Sequence, residues 1–138
     1  MKKTTLFLLI VFAGSLFLTS CKKYDNGPDF SFIPAKNRVE NTWKIDSWYV
    51  NGASQSTSFF SNSTYIYTKE GVYTEKWTSG GLSLQTDGTW KFSSDKEKIS
   101  ITINNATKEY TILKLYNDSF WLSISENNQT TEIHYIPA

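Results

Sequence analysis

The stretch that decides the fold runs from Ile99 to Ile136, ISITINNATKEYTILKLYNDSFWLSISENNQTTEIHYI. Apolar and polar residues alternate in four segments of it, and short polar turns separate these segments. The segments are Ile99–Asn104, Thr107–Leu115, Ser119–Ser125 and Thr130–Ile136. Turns this short join antiparallel neighbours, so the second half of the chain predicts a β-meander.

The same alternation extends upstream and adds four predicted strands. They are Thr42–Val50, Thr64–Lys69, Val72–Thr78 and a segment that ends at Ser93 and begins at Leu82 or at Thr89, with Thr86-Asp87-Gly88 predicted as a turn. Closure of eight such strands removes both exposed sheet edges. The predicted fold is therefore all-β, an eight-stranded antiparallel up-and-down β-barrel, preceded by a short helix within Pro34–Asn41.

Alternation assigns one face of each strand to the interior of this barrel. The candidate ligand-binding and interior residues on that face are Trp43, Tyr49, Tyr65, Tyr67, Tyr73, Trp77, Trp90, Tyr110 and Tyr135. Trp48, Trp121 and His134 fall on the outer face. The inward rings either fill the barrel to ordinary packing density or leave room for an apolar or sugar-like ligand, and both alternatives stay open at this point.

The connection from Asn51 to Ser63 is much longer than the others. It contains Phe59 and Phe60, which are candidate lid residues. Loops longer than about 12 residues are uncommon unless they are functional or disordered. The serines of this loop are equally typical of disorder, so the sequence favours neither alternative outright.

The N-terminal residues have the features of an export signal. Lys2 and Lys3 precede an apolar run from Leu6 to Leu18, which is shorter than the roughly 20 residues of a membrane-spanning helix. Leu18-Thr19-Ser20-Cys21 resembles the bacterial lipobox. The resemblance implies cleavage before Cys21 and acyl chains on its thiol and amino group. The predicted organisation is a lipoprotein signal peptide at 1–20, a flexible tether at 21–33 and a barrel domain at 34–138.

The chain from Gly27 to Ile136 also resembles the small lipocalin-like lipoproteins of Gram-negative bacteria. The resemblance is carried by short motifs: Arg38-Val39-Glu40-Asn41-Thr42-Trp43-Lys44-Ile45, Asn51-Gly52, Lys69-Glu70-Gly71, Gly88-Thr89-Trp90-Lys91-Phe92 and Tyr110-Thr111-Ile112-Leu113-Lys114-Leu115. Trp43 matches the family's Gly-x-Trp, with Asn41 in place of the glycine. By resemblance to lipoprotein sorting rules, Lys22 after Cys21 favours the outer membrane, with its periplasmic or surface face left open.

Several function classes are disfavoured by composition. His134 is the only histidine and has no nucleophile motif near it, so we expect no catalysis. The only cysteine is Cys21, and no acidic cluster stands without neighbouring lysines, so we expect no metal and no cofactor. The lysines are spread along the chain and the net charge is +1, which argues against nucleic-acid binding.

These observations predict a lipid-anchored, non-catalytic monomer of the bacterial cell envelope. Its expected function is that of a lipocalin-like module that binds a hydrophobic or sugar-like small molecule or an envelope protein. The alternative is a structural or accessory lipoprotein with a side-chain-filled barrel, which would dock on another envelope protein through Trp48 and Trp121.

Overall fold

The computed structural model describes residues 22–28 and 31–138, so the predicted signal peptide and Cys21 lie outside the described residues. One helix, α1 (Ala35–Val39), lies within the segment predicted as helical, and a 3-10 turn covers Ser58–Phe60. The strands are β1 (Asn41–Val50), β2 (Ala53–Gln55), β3 (Ser63–Tyr67), β4 (Val72–Ser79), β5 (Leu82–Phe92), β6 (Lys98–Ile103), β7 (Ala106–Leu115), β8 (Phe120–Glu126) and β9 (Gln129–Pro137).

Strand β1 and strands β3 to β9 form a closed antiparallel barrel. Each of the eight pairs with the next, and β1 pairs with β9 from Trp43↔Pro137 to Val50↔Thr131. Strand β2 is a short additional strand that pairs only with the end of β1. The predicted eight-stranded antiparallel barrel with a short N-terminal helix is confirmed.

The barrel end next to α1, here called the closed end, is packed with side chains. Trp43 is 0% exposed and its indole Nε1 donates a hydrogen bond to the Val39 carbonyl at 2.9 Å, which ties β1 to the helix. Edge-to-face and tilted ring pairs fill this end, as aromatic quadrupoles favour. Its buried residues include Val39, Trp43, Tyr67, Tyr73, Trp90, Ile99, Ile112, Leu115, Phe120, Leu122 and Tyr135.

Residues 22–28 pack against the closed end, although they belong to the predicted flexible tether. Tyr24 is 2% exposed, and its hydroxyl donates to the Lys96 carbonyl at 3.0 Å. The backbone N–H of Asn26 donates to the Leu113 carbonyl at 2.8 Å. The Arg38 guanidinium lies 5.9 Å from the centre of the Tyr24 ring. The burial of one aromatic ring therefore fixes this segment, while the predicted domain boundaries stay predictions.

A β-bulge in β1 exchanges the two faces of its second half. Ile45 pairs with Tyr135, but the next registered pair is Ser47↔His134, so β1 carries one extra residue. Trp48 consequently lies opposite Ile133 on the inner face, and Tyr49 lies opposite Glu132 on the outer face. The predicted orientations of Trp48 and Tyr49 are wrong, because strict alternation is one residue out of step beyond a bulge.

A second bulge, in β7, brings Leu115 into the core. Ile112 pairs with Leu122, and after the shift Leu115 pairs with Phe120. Leu115 is 0% exposed. Strict alternation from the predicted inward residue Tyr110 would instead place Leu115 on the outer face, because a residue five positions later falls on the opposite face of a regular strand.

Strand β5 is continuous through Thr86-Asp87-Gly88, so the turn predicted there is wrong. The turn is at Gly80-Gly81, whose φ angles of 57° and 82° suit a two-residue hairpin. The Asp87 carboxylate accepts hydrogen bonds from Thr74 Oγ1 at 2.7 Å and Gln85 Nε2 at 2.9 Å, which satisfy it within the sheet. A Cβ on Gly88 would lie 2.3 Å from the Thr102 carbonyl oxygen, so this close strand approach requires glycine.

Candidate functional site

The barrel end opposite α1 is open. A groove of about 670 Å³ lies there, and we call it the mouth; it is lined by Ser58, Phe59, Phe60, Ser63, Tyr65, Glu75, Trp77 and Leu84. A second cavity, of about 140 Å³, is lined by Tyr73, Glu75, Ile101, Ile103, Ala106, Lys108 and Tyr110. Glu75 lines both spaces.

Cross-strand register places the mouth residues on the inner face. Glu75 of β4 lies between Tyr65 of β3 and Thr86 of β5. One pair further along, Trp77 lies between Ser63 and Leu84. Directly opposite residues in antiparallel strands share a face, so these six side chains project into the same half of the lumen.

Large apolar side chains are exposed at the mouth, whereas side chains of similar size are buried at the closed end. Leu84 is 67% exposed, Trp77 is 36% exposed and Phe59 is 84% exposed. Single exposed apolar residues are ordinary, but these three line one concave groove. The two halves of the barrel therefore differ, since one is filled with rings and the other leaves apolar surface open to solvent.

The loop from Asn51 to Ser63 borders the mouth with the two predicted lid residues. Phe60 packs edge-on against Trp48 with ring centres 5.4 Å apart, and Phe59 packs on Phe60 at 5.6 Å. Strand β2 and the 3-10 turn give this loop regular structure of its own. The inward Trp48 thus holds the loop at the rim of the barrel, while movement of the loop as a lid stays a prediction.

Three charged side chains lie on the inner face of the open half. Glu75 accepts a hydrogen bond at Oε1 from the Tyr73 hydroxyl at 2.7 Å. Lys108 of β7 pairs with Glu126 of β8 at an Nζ to Oε2 distance of 2.9 Å. The register places Lys108 opposite Ile101 and Glu126 opposite Gln129. The mouth is consequently an apolar groove with a carboxylate at its base and an ion pair on the adjoining wall.

The interior tyrosines are held in their neutral form. Burial is the largest cause, and the nearby Glu75 charge adds to it: together they raise the pKa of Tyr65 from 10.0 to about 12. The pKa of Tyr110 is raised chiefly by burial as well, and those of Tyr67, Tyr73 and Tyr135 lie well above the ordinary value for the same reason. The rings therefore offer apolar faces and hydroxyl donors without negative charge.

The nine predicted interior residues fall into three groups. Those in the packed core are Trp43, Tyr67, Tyr73, Trp90 and Tyr135, with Tyr73 also reaching the smaller cavity. Those that line open space are Trp77, Tyr110 and Tyr65, and Tyr65, at 8% exposed, also belongs to the buried core. Tyr49 is on the outer face. Two large apolar residues at the mouth were missed: Trp48, because of the β1 bulge, and Leu84, because β5 was predicted to begin at either Leu82 or Thr89.

The outer face carries a row of stacked side chains around His134. The Trp121 ring lies 3.7 Å from the His134 ring at an interplanar angle of 4°. Lys114 Nζ lies 4.3 Å from the centre of the Trp121 ring, and the centres of the Tyr49 and His134 rings are 5.1 Å apart. The outward orientation predicted for His134 and Trp121 is confirmed. The His134 side chain is only 12% exposed, so it is packed between its neighbours although it lies on the outer face.

His134 also has two polar partners. Its Nδ1 is hydrogen-bonded to Ser47 Oγ at 3.1 Å, and its Nε2 contacts the Glu132 carboxylate. These residue types occur together in hydrolases, but here they lie on the convex outer face, whereas the grooves described above are on the inner face. The trio therefore ties β1 to β9 on the outer face, apart from the mouth and the smaller cavity.

Within residues 22–28 and 31–138, no helix is long and apolar enough to cross a membrane. Within the same residues, no three His, Cys, Asp or Glu side chains lie close enough together to hold a metal ion.

Comparison with known proteins identifies the architecture. No protein-family model matches the chain, and no curated protein is significantly similar to it in sequence. Among solved structures, insecticyanin from the tobacco hornworm Manduca sexta is similar with a TM-score of 0.51 and 8% sequence identity. The similarity covers 86% of this chain and 69% of the insecticyanin chain. The chain has a lipocalin-like fold. At this identity the lipocalin-like barrel is what the two proteins share, and the bacterial lipoprotein identity stays a prediction.

Proposed function

We propose that this protein is a non-catalytic lipoprotein of the bacterial cell envelope that binds a small hydrophobic molecule in the mouth of its lipocalin-like barrel. The observation that carries the proposal is the contrast between the two ends of the barrel. One end is filled by aromatic side chains, and the other leaves a groove of about 670 Å³ open. Small-molecule sites commonly have volumes of about 300 to 1,000 Å³ and are mostly apolar with a few polar groups.

The packing of Tyr24 supports a definite orientation of the barrel on the membrane. Tyr24 is buried at the closed end and follows the proposed lipid-bearing residue, Cys21, by three positions. Three extended residues span at most about 11 Å. A lipid on Cys21 would therefore hold the closed end near the membrane surface and direct the mouth away from it, where a ligand can enter.

Replacement of Cys21 by Ala is expected to abolish acyl-chain labelling and to release the protein from the membrane fraction, because two or more acyl chains are what makes such attachment lasting. Labelling with a clickable fatty acid in bacterial cells, followed by fractionation, measures both effects. Lys23→Ala is the matched control and should keep both. Unchanged labelling of the Cys21→Ala protein would rule out the anchor.

Ligand binding is tested with N-phenyl-1-naphthylamine, an uncharged apolar dye whose fluorescence rises on burial. Leu84→Asp places a charge in the mouth and is expected to weaken dye binding at least about tenfold, since burying a leucine side chain contributes about 1.5 to 3 kcal/mol. Ser83→Asp puts the same charge on the opposite face of β5 and is the control, with little expected change. A dye titration without saturation in the unmodified protein would refute a binding mouth.

One observation favours a second function, that of an accessory protein which docks on another envelope protein. The row of Lys114, Trp121, His134 and Tyr49 offers a ring-rich outer surface. Trp48 does not belong to it, because the β1 bulge turns that residue inward. A photocrosslinker at position 121 in living cells separates the two functions, since a ligand carrier should give no reproducible protein adduct there.

A further inference from the structure

The carboxylate of Glu75 is only partly satisfied by the protein. Its Oε1 accepts the Tyr73 hydroxyl at 2.7 Å. In the part of the chain that the structure describes, its Oε2 makes no hydrogen bond and Glu75 forms no ion pair. Glu75 nevertheless borders both the mouth and the smaller cavity. A ligand that fills this space must take the place of water around half of an ionised carboxylate, which is costly without a compensating partner.

The positively charged side chain beside Glu75 on the inner face, Lys108, already has an ion-pair partner. Lys108 shares the smaller cavity with Glu75, but its Nζ pairs with Glu126 at 2.9 Å. The three inward charged residues of this half therefore sum to a negative charge. A bound anion would add repulsion at Glu75, and a neutral apolar ligand would cover the carboxylate without neutralising it.

Aromatic rings complete the surroundings of this carboxylate. Tyr65 lies directly opposite Glu75 on β3, Trp77 follows it on the same face of β4, and Tyr110 lines the cavity beside it. An ammonium group over the face of such rings gains about 0.5 to 1 kcal/mol at exposed sites and about 2 when desolvated. The Glu75 carboxylate and the surrounding rings thus both favour a positively charged ligand group.

We propose that the mouth binds an organic cation, with an ammonium group on an apolar or aromatic body. This inference rests on the proposed function and names its ligand class. The ammonium group pairs with the free side of the Glu75 carboxylate, next to Tyr65 and Tyr110. The apolar body lies against Trp77, Leu84 and Phe60 towards the rim.

Three probes of similar size test the ligand charge: 2-phenylethylammonium, 2-phenylethanol and 3-phenylpropanoate. They are titrated into the full-length protein at neutral pH by calorimetry and by tryptophan fluorescence. The cation is expected to bind about tenfold more tightly than the alcohol, since one ion pair and one or two ring contacts add roughly 1 to 2 kcal/mol. The anion is expected to bind most weakly of the three.

Glu75→Gln should remove the preference for the cation while leaving the affinity for the alcohol nearly unchanged, because it keeps the shape of the side chain. Glu70→Gln makes the same charge change in the turn before β4, away from the mouth, and should keep the preference. Equal affinity for cation and alcohol, a preference that survives Glu75→Gln, or no binding of the cation would each overturn the proposal. The uncharged dye separates this proposal from the proposed function. Saturable dye binding without a preference for the cation would refute the organic-cation ligand and still support a binding site in the mouth.

Discussion

Replacement of Trp43 by Ala is expected to lower the free energy of unfolding by about 3 to 5 kcal/mol, the range for deleting a buried tryptophan or phenylalanine side chain. Trp43 is 0% exposed and packs on Phe120 with ring centres 5.7 Å apart. Its indole also donates to the Val39 carbonyl at the end of α1. The substitution would leave a void beneath the helix and an unpaired carbonyl, so both packing and a hydrogen bond are lost.

Trp77→Ala is the matched control for this prediction. Trp77 is 36% exposed at the mouth, and its removal leaves no enclosed cavity, so we expect a loss of less than about 1 kcal/mol. Urea denaturation followed by circular dichroism measures both variants. Trp43→Phe, which keeps a ring in place, should fall between them and remains informative if Trp43→Ala does not fold. Equal losses for Trp43→Ala and Trp77→Ala would contradict the division of the barrel into a filled and an open end.

Raising the pH above 10 is expected to destabilise the protein steeply. The pKa of Tyr65 rises from 10.0 to about 12 on folding, first through burial and then through the Glu75 charge. Between these values the unfolded chain loses the phenol proton while the folded protein keeps it. Stability that is fully present below pH 10 is therefore lost as the pH rises towards 12, by up to about 1.4 kcal/mol per pH unit for this one group.

Other interior tyrosines act in the same direction. Burial raises the pKa of Tyr67, Tyr73, Tyr110 and Tyr135, so their contributions add to the alkaline loss. Urea midpoints measured at successive pH values, with the tyrosinate absorbance recorded in parallel, test this prediction. Tyr65→Phe should flatten the slope, whereas Tyr49→Phe on the outer face should not. A stability that stays level from pH 10 to 12 would show that these phenols are not buried in the folded protein.

Much of the barrel interior could be predicted from the sequence because β3, β6 and the first half of β4 are regular strands. Tyr65, Tyr67, Ile99 and Ile101 alternate without interruption and are all buried. The errors lie where local geometry departs from the regular pleat. Trp48 and Tyr49 are reversed by one extra residue in β1, and Leu115 is brought inward by a bulge in β7. A bulge is stabilised by partners that are distant in the chain, so the local residue pattern does not predict it.

Part of the candidate site could also be predicted from the regular alternation of inward and outward residues. Tyr65, Trp77 and Tyr110 were placed inward from alternation alone. That Trp77 and Tyr110 border open space, whereas Trp43 and Trp90 are buried, does not follow from alternation, because all four are large inward residues. The difference arises from the barrel ends: Tyr24 and α1 pack against one end, whereas the loop with Phe59 and Phe60 borders an open groove at the other.

The residue pattern by itself determined that this protein is an antiparallel β-barrel, since a period of two with short turns allows only neighbouring strands to pair, and closure protects the edges. The tertiary structure alone decided which half of the lumen is filled. The pairing of β1 with β9 sets the bulge that turns Trp48 inward, and the packing of Tyr24 and α1 seals one end. Both depend on contacts between residues distant in the chain, and such contacts are fixed only when the whole barrel has closed.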